Sequence, residues 1–484
     1  MESILKKKKT LSQKNTAALR KIPAVDKVLN LPELMDYAGK IDHRYLTSIV
    51  RNKMDEFRSR LMNGEDLSFE FLTKSIVHEL NRLLAPYFRH AINGMGIVLH
   101  TGLGRAPFSH GIAAALNSVS VGYSRLQIDD EGKRADRYQK IGRLLQILTG
   151  AEAGIFVNNN AAATMLILNT VAKDKEVIIS RGQLIEIGGS FRIPDIMAQS
   201  GAIMHEIGTT NRTHLKDYED AINEKTAALL RVHQSNYRIS GFTKEVSLAE
   251  LVELGKKYKI PVIDDLGSGA LIDFSKFGLP KEPLVQESIR IGADIVCFSG
   301  DKLIGGPQCG IIIGRKNYLE KIKKNPLTRA LRCDKLTNAA LESTLQLFLK
   351  KEDELIKHHS VISILLRPVD EIKKQAKKCA DALQNLSAKI SVDVKPSVSE
   401  IGGGSLSTEQ LPTFVLAIKP KKIALTELAK ALRQNHTPIF GRIEKDALLL
   451  DFRTVLKGEE NIIIKALNEI LMDNGLTIAK GNSK

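Results

Sequence analysis

The feature that most constrains the fold is an alternation running from about Ile92 to Gly314. Short apolar runs recur there: "IFVNNN", "EVIIS", "AIMHEI", "AALLRVH", "PVIDDLGSG", "ADIVCFSG" and "GIIIG". Most of them end in Gly, Ser, Asn or another polar residue, and helical stretches such as "AAATMLILNTVAK" and "LAELVELGKKYK" lie between several of them. Strands alternating with helices build an α/β fold with a mostly parallel, doubly wound sheet. Ligands of such sheets gather at the carboxyl ends of the strands, where these polar residues cluster.

The flanks read differently. From about Asn15 to His90, "VDKVLNLPELMDYAGK" and "LTSIVRNKMDEFRSRLM" carry apolar residues at three- and four-residue spacing, and Pro32 suits a first helical turn. After Lys350 come a long charged helical region, a glycine loop "EIGGGSLS", the run "TFVLAI", a helix, "GRIEKDALLLDFRTV" and a final helix. The expected organisation is a basic tail over 1–20, a helical domain over 21–90, a large α/β domain over 91–350 and a small α+β domain over 351–484.

A chain of 484 residues can bury large cores, and no apolar run approaches the roughly 18–20 residues that cross a bilayer. The start, "MESILKKKKTLSQK", has lysines but no apolar block after them, so it is not read as a secretory signal. Cys297, Cys309, Cys333 and Cys379 show neither a Cys-x-x-Cys pairing nor histidines at metal spacing. Reduced thiols in a cytoplasm and no metal site are expected. The net charge of +16 favours an anionic partner, most simply nucleic acid, against the plainer alternative of solvated lysine-rich faces. Part of that charge sits in Lys6, Lys7, Lys8, Lys9, Lys14, Arg20 and Lys21, opposed only by Glu2.

Chemistry is concentrated in "FSGDKLIGGPQCG", directly after the run "ADIVC". The glycine-rich "GMGIVLHTGLG" fails as a dinucleotide fingerprint, because Leu99 stands where a glycine is needed. Pyridoxal 5'-phosphate explains more. It needs an amine, an acid at its ring nitrogen and an anion cradle. Lys302 supplies the amine as a Schiff-base lysine, and "VIDDLGSG" offers Asp264 or Asp265 as the acid. In "NNNAAATML", Asn159, Asn160, Ala161 and Ala162 open a helix whose free N–H groups can hold a phosphate, and the Ser299 hydroxyl can add to them. Each feature alone has a plain reading: a surface lysine, a helix cap, a turn. Their order on one alternating chain carries the argument.

Long strings make the match specific. They include "LRKIPAVDKVLNLPEL", "INGMGIVLHTGLGRAPFS", "VNNNAAATMLILNT", "VHQSNYRISGF", "DLGSGALIDFSKFGLPKEP", "FSGDKLIGGPQCGIIIG", "LTRALRCDK" and "GRIEKDALLLDFRTVL". With them the chain closely resembles the bacterial selenocysteine synthases (L-seryl-tRNA(Sec) selenium transferases), across nearly its whole length. The resemblance implies a pyridoxal-phosphate transferase of fold type I that converts seryl-tRNA(Sec) with selenophosphate, by β-elimination of water through an aminoacrylyl-tRNA and addition of selenium. It implies the Schiff base on Lys302, favours Asp265 over Asp264, and gives Arg105, Arg329 and Arg332 the donor's phosphate. Arg329 and Arg332 are expected on one face of a helix. Asp301 is expected to assist proton traffic, Gln183 to stack on the ring, and Asn236 and His233 to contact the ring oxygen or substrate, with backbone satisfaction as the plainer fate of His233. Arg453 is given no substrate role, since the substrate carboxylate is esterified. The helical N-terminal domain is expected to engage the tRNA. Active sites shared across a dimer, in a homodecamer, are implied as well.

Two other readings compete with this one. A tRNA-independent pyridoxal-phosphate lyase or transferase on a small amino acid or amino sugar is disfavoured by the N-terminal helical domain. An RNA-binding or scaffold protein on a decayed fold is disfavoured because Lys302, Asp265 and the asparagine cradle are all present.

Overall fold

The computed structural model describes residues 22–187, 191–405 and 409–472, and the basic tail lies outside them. The chain divides into two compact units, Met1–His90 and Ala91–Lys484.

The first unit is helical: α1 (Val25–Leu29), α2 (Pro32–Ala38), α3 (His43–Met62) and α4 (Phe69–Leu84). Leu46, Val50, Met54, Phe57 and Leu61 fall on one stripe of α3 and are buried against Leu72, Ile76 and Leu80 of α4. Pro32 opens α2, where its missing N–H costs nothing. Asp42 and Ser68 cap α3 and α4 by accepting from the Arg44 and Phe71 amides.

The second unit holds two sheets. Its strands are β1 (Ile92–Gly94), β2 (Ala153–Val157), β3 (Glu176–Ser180), β4 (Glu186–Ile187), β5 (Phe191–Arg192), β6 (Ile203–Ile207) and β7 (Thr226–Val232). They continue as β8 (Val262–Gly267), β9 (Ile295–Ser299), β10 (Gly310–Gly314), β11 (Ile390–Glu400), β12 (Gln410–Pro420), β13 (Ile439–Glu444) and β14 (Ala447–Asp451). All seven apolar runs of the sequence become strands of one sheet, ordered β2-β10-β9-β8-β7-β3-β6. Its core pairings are parallel, while β10 runs antiparallel to both neighbours. β9 and β10 are buried along their whole length, which explains why they read as unbroken apolar runs.

The other sheet is ordered β1-β13-β14-β12-β11 and is packed by the helices Val369–Ala382, Leu425–Gln434 and Glu459–Met472. β11, which the sequence reading did not single out, pairs with β12 over eleven residues, from Ile390↔Pro420 to Glu400↔Gln410. β1 joins this sheet through Ile92↔Ile439, far along the chain. Gly94, at its end, and Gly96, just beyond it, serve that packing: a Cβ on Gly94 would lie 2.8 Å from the Phe440 carbonyl oxygen, and one on Gly96 would overlap the Asp451 carboxylate. The "GMG" motif is thus a close approach between backbone and sheet.

Candidate active site

β9 ends at Ser299, and the next ten residues fold back onto it before β10 begins. Gly300 donates to the Cys309 carbonyl (2.8 Å), Gly306 to the Gly300 carbonyl (2.8 Å) and Leu303 to the Ser268 carbonyl (3.3 Å). This tight return fixes Lys302 at the carboxyl end of the sheet, where it is 4% exposed. Burial and the Arg105 charge pull the amine down to about 8, against the opposing pull of Asp301, Asp265 and Glu282. Such an amine is partly neutral near physiological pH.

Asp264 and Asp265 are neighbours on β8, so their side chains leave opposite faces of the sheet. Asp264 takes Arg231 Nη1 at 2.8 Å. Asp265 turns to the helix Asn160–Val171, accepting from Asn160 Nδ2 (2.8 Å) and Thr164 Oγ1 (2.9 Å). Asn160 and Thr164 are four apart, hence on one helix face. Both donors are neutral, and burial pushes the Asp265 carboxyl above its ordinary range. Asn159 caps the same helix, its Oδ1 taking the Ala162 amide at 2.8 Å. The amides of Asn160 and Ala161 therefore remain at the positive end of the helix dipole. Gly310 lets β10 pass beneath this turn, since a Cβ there would overlap the Asn159 carbonyl.

Arg105 has a left-handed backbone, φ 61°, and its Nε lies 3.5 Å from Asp301 Oδ2. Its Nη1 is buried without a hydrogen-bond partner among the described residues. Burial also raises the Asp301 carboxyl, against the pull of Arg105.

The glycine loop after β11 closes over this cluster. Val98 and Leu99 donate to the carbonyls of Glu400 and Ile401 (2.9 and 2.8 Å), which anchors the loop. Gly404, at φ 91°, then lies against Lys302: a Cβ there would sit 2.7 Å from Cε and overlap Nζ. Beside the covered lysine is a cavity of about 260 Å³, lined among others by Gln183, His233, Ser235 and Glu282. Gly267 separates the two, with Ser235 Oγ and Lys302 Nζ lying 3.4 and 3.6 Å from where its Cβ would be.

The remaining expected residues are placed as follows. Gln183 is buried in the cavity wall, where its Oε1 accepts from the Val232 amide (3.0 Å). Asn236 donates to the Glu186 carbonyl (2.7 Å), and its Oδ1 has no partner among the described residues. His233 meets a side chain, Glu282, rather than backbone: Nε2 lies 3.4 Å from Oε2. Ser299 is buried at the end of β9. Arg453 is immobilised by carbonyls, donating to Ile364 and Leu365 (2.9 and 3.1 Å) and to Pro412 (2.6 Å). The expectation that Arg329 and Arg332 share a helix face is corrected. The helix Pro326–Ala330 ends first, and Leu331 turns so that its carbonyl takes the Asn158 amide at 2.9 Å. Both arginines are exposed, and Arg332 lies beyond the helix, directly after the Leu331 turn that is tied to the asparagine cradle. Sequence reasoning missed Thr164, Gly404 and Glu282. Only Thr164 carried a local signal, its four-residue spacing from Asn160.

These residues fit pyridoxal 5'-phosphate. Besides the lysine, acid and cradle, the buried atoms Asn160 Oδ1, Ser268 Oγ and Arg105 Nη1 lack partners among the described residues and can accept or donate to a polar ligand.

Comparison with known proteins agrees. The model of the family "L-seryl-tRNA selenium transferase" matches residues 91–456. The L-seryl-tRNA(Sec) selenium transferase of Alkaliphilus oremlandii (strain OhILAs) is 46% identical over 458 residues, covering 93% of this chain and 98% of that protein. The enzyme of the same name from Carboxydothermus hydrogenoformans is 45% identical over 458 residues, covering 94% and 98%. Among solved structures, D-glucosaminate-6-phosphate ammonia-lyase shares the fold, with a TM-score of 0.54 at 20% identity over 81% of this chain and 98% of that one. Identity at this level over nearly the full length places the chain in the L-seryl-tRNA(Sec) selenium transferase family, pyridoxal-phosphate-dependent transferases of fold type I.

Proposed function

We propose that this chain converts seryl-tRNA(Sec) to selenocysteinyl-tRNA(Sec) with selenophosphate as selenium donor, and that Lys302 is the residue on which the chemistry turns. The observation that carries the reading is the Lys302 amine, buried at the carboxyl end of the sheet next to the Arg105–Asp301 pair. Bound pyridoxal 5'-phosphate supplies an electron sink that stabilises charge at the carbon bearing the amine. Lys302 would hold the cofactor, Asp265 would take its ring nitrogen, and the Asn160 and Ala161 amides with the Ser299 hydroxyl would hold its phosphate. Gln183 and Asn236 complete the surroundings of the ring.

An amine near pKa 8 can both accept and return a proton at neutral pH, which suits Lys302 to proton transfer at the substrate's α-carbon. Asp265 has only neutral donors and so gains from a cationic N–H brought against it. Asp301 balances Arg105, whose partnerless Nη1 is suited to an oxyanion. Arg329 and Arg332 join it in holding the donor's phosphate, supported by their exposure and by the tie between their turn and the cradle. The α-proton and the serine hydroxyl leave as water, the donor's selenium bonds to the β-carbon as a proton returns to the α-carbon, and a water takes the phosphoryl group, breaking the Se–P bond and releasing phosphate.

The helical N-terminal unit and the basic tail are proposed to engage the tRNA, with dimeric active sites in a homodecamer, in the cytoplasm. Support comes from the net charge of +16 and the usual closed symmetry of homo-oligomers. Among the described residues no helix is long and apolar enough to cross a membrane. Reconstitution tests the reading: wild type should place selenium from selenophosphate on seryl-tRNA(Sec) and leave free serine unconverted, and Lys302→Ala should convert neither substrate. Conversion by Lys302→Ala, or turnover of free serine, contradicts it.

A further inference from the structure

The cavity beside the lysine holds one group that the chemistry above leaves unused. Glu282 lies in its wall, just before the helix Val285–Ile291, and is 5% exposed. Oε2 faces His233 Nε2 at 3.4 Å, while Oε1 is buried with no hydrogen-bond partner among the described residues. Two cations of the same wall are engaged elsewhere: Arg231 with Asp264 (2.8 Å) and Lys281 with Glu287 (2.8 Å). A buried acceptor without a donor is costly, and more so when it is charged, a cost that a ligand's donor removes.

The location suits the aminoacyl group. His233 donates its backbone N–H to the Asp265 carbonyl (2.9 Å), so the Glu282 partner is tied to the acid of the site. Ser235, in the same wall, is separated from Lys302 only by Gly267. Glu282 is close enough for its charge to act on the Lys302 amine. A seryl ester brings two donors, its amine and its hydroxyl. The amine is committed to the lysine's place, which leaves the hydroxyl.

We propose that Glu282 is a positioning residue for the aminoacyl group: Oε1 accepts a hydrogen bond from the seryl hydroxyl while Oε2 steadies His233, so that the cavity selects serine over a residue lacking that hydroxyl. This rests on the reading under Proposed function. The test uses holoenzyme and tRNA(Sec) acylated with serine or with alanine, and measures the concentration giving half of the change in cofactor absorbance. Wild type should need about tenfold less seryl- than alanyl-tRNA, the worth of one hydrogen bond to a charged group. Glu282→Met keeps the length and removes the acceptor, and should bring that ratio to about one. Glu282→Gln keeps an acceptor oxygen and should fall between, with cofactor absorbance before addition unchanged in both. An unchanged ratio in Glu282→Met, or loss of cofactor absorbance in both variants, overturns the proposal. Absence of any spectral response to seryl-tRNA in wild type overturns the underlying reading as well, which separates the two failures.

Discussion

Two sheets of this chain each bury an aspartate in the last half of a strand, and they treat it differently. Asp451, closing β14, takes hydrogen bonds from Ser399 (3.0 Å), Thr413 (2.7 Å) and the Arg453 amide (3.0 Å), with Arg442 Nη1 at 3.2 Å. It is saturated and neutralised. Asp265, in β8, has two neutral donors and a carboxyl pushed up by burial. The arginines differ in which donors stay unused: Arg453 gives both terminal nitrogens to backbone carbonyls and leaves only Nε without a partner among the described residues, whereas Arg105 leaves the terminal Nη1 without one. A saturated polar group holds a structure together. One with unused capacity is available for a ligand.

Asn substitutions at the two aspartates should break the comparison cleanly. Asp451→Asn should cost about 3–5 kcal/mol in denaturant unfolding, because its amide N–H group meets donors in a fully buried network and the half-buried Arg442 loses its carboxylate. Asp265→Asn leaves Asp301 and Glu282 acting on the Lys302 amine and should cost apo stability less, about 1 kcal/mol, while lowering turnover about a hundredfold by weakening the cofactor's electron sink. Equal stability losses at the two positions would erase the distinction.

The lysine gives the next largest effect, and its sign follows from linkage. The folded amine, at about 8, lies below its ordinary 10.5, so between these values the unfolded chain binds more protons and apo stability rises with pH. Lys302→Met lacks that penalty, which amounts to roughly 3 kcal/mol at pH 7 by the conversion of pKa to energy. The apo variant should therefore exceed apo wild type in stability at pH 7, and its advantage should shrink toward pH 10.5. A difference that does not change with pH would show that the amine is not desolvated.

Gly404→Ala should shift Lys302 by overpacking, at about 1–3 kcal/mol, seen as weaker cofactor uptake by absorbance titration. The smallest effect concerns the tail. In the helical unit many basic residues already face acids: Arg58 with Asp55, Arg60 with Glu65, Lys74 with Glu70 and Arg82 with Glu79. Removing residues 1–20 should thus weaken tRNA binding several-fold at low salt and flatten its salt dependence. Unchanged affinity would make the tail irrelevant to binding.

The sequence showed the large sheet well, because strands buried on both faces leave unbroken apolar runs. β11 escaped: its inward residues Ile390, Val392 and Val394 alternate with exposed ones, and Pro396 interrupts the pattern. Strand period made a choice between Asp264 and Asp265 necessary but could not make it, since only the tertiary position of the helix Asn160–Val171 tells which face is covered. Gly404 and Glu282 reach the lysine's surroundings from about 100 residues downstream and 20 upstream, as the numbering shows, without any local pattern. The arginine turn was misread because a backbone bond from Asn158 to Leu331, not helix propensity, sets where that helix stops.

The central claim is that the position-302 amine carries the cofactor. Borohydride reduction of the holoenzyme, followed by digestion and mass mapping, should put the pyridoxyl label on the peptide containing Lys302 and leave Lys302→Ala unlabelled. A label on any other lysine, or equal labelling of the variant, contradicts the account.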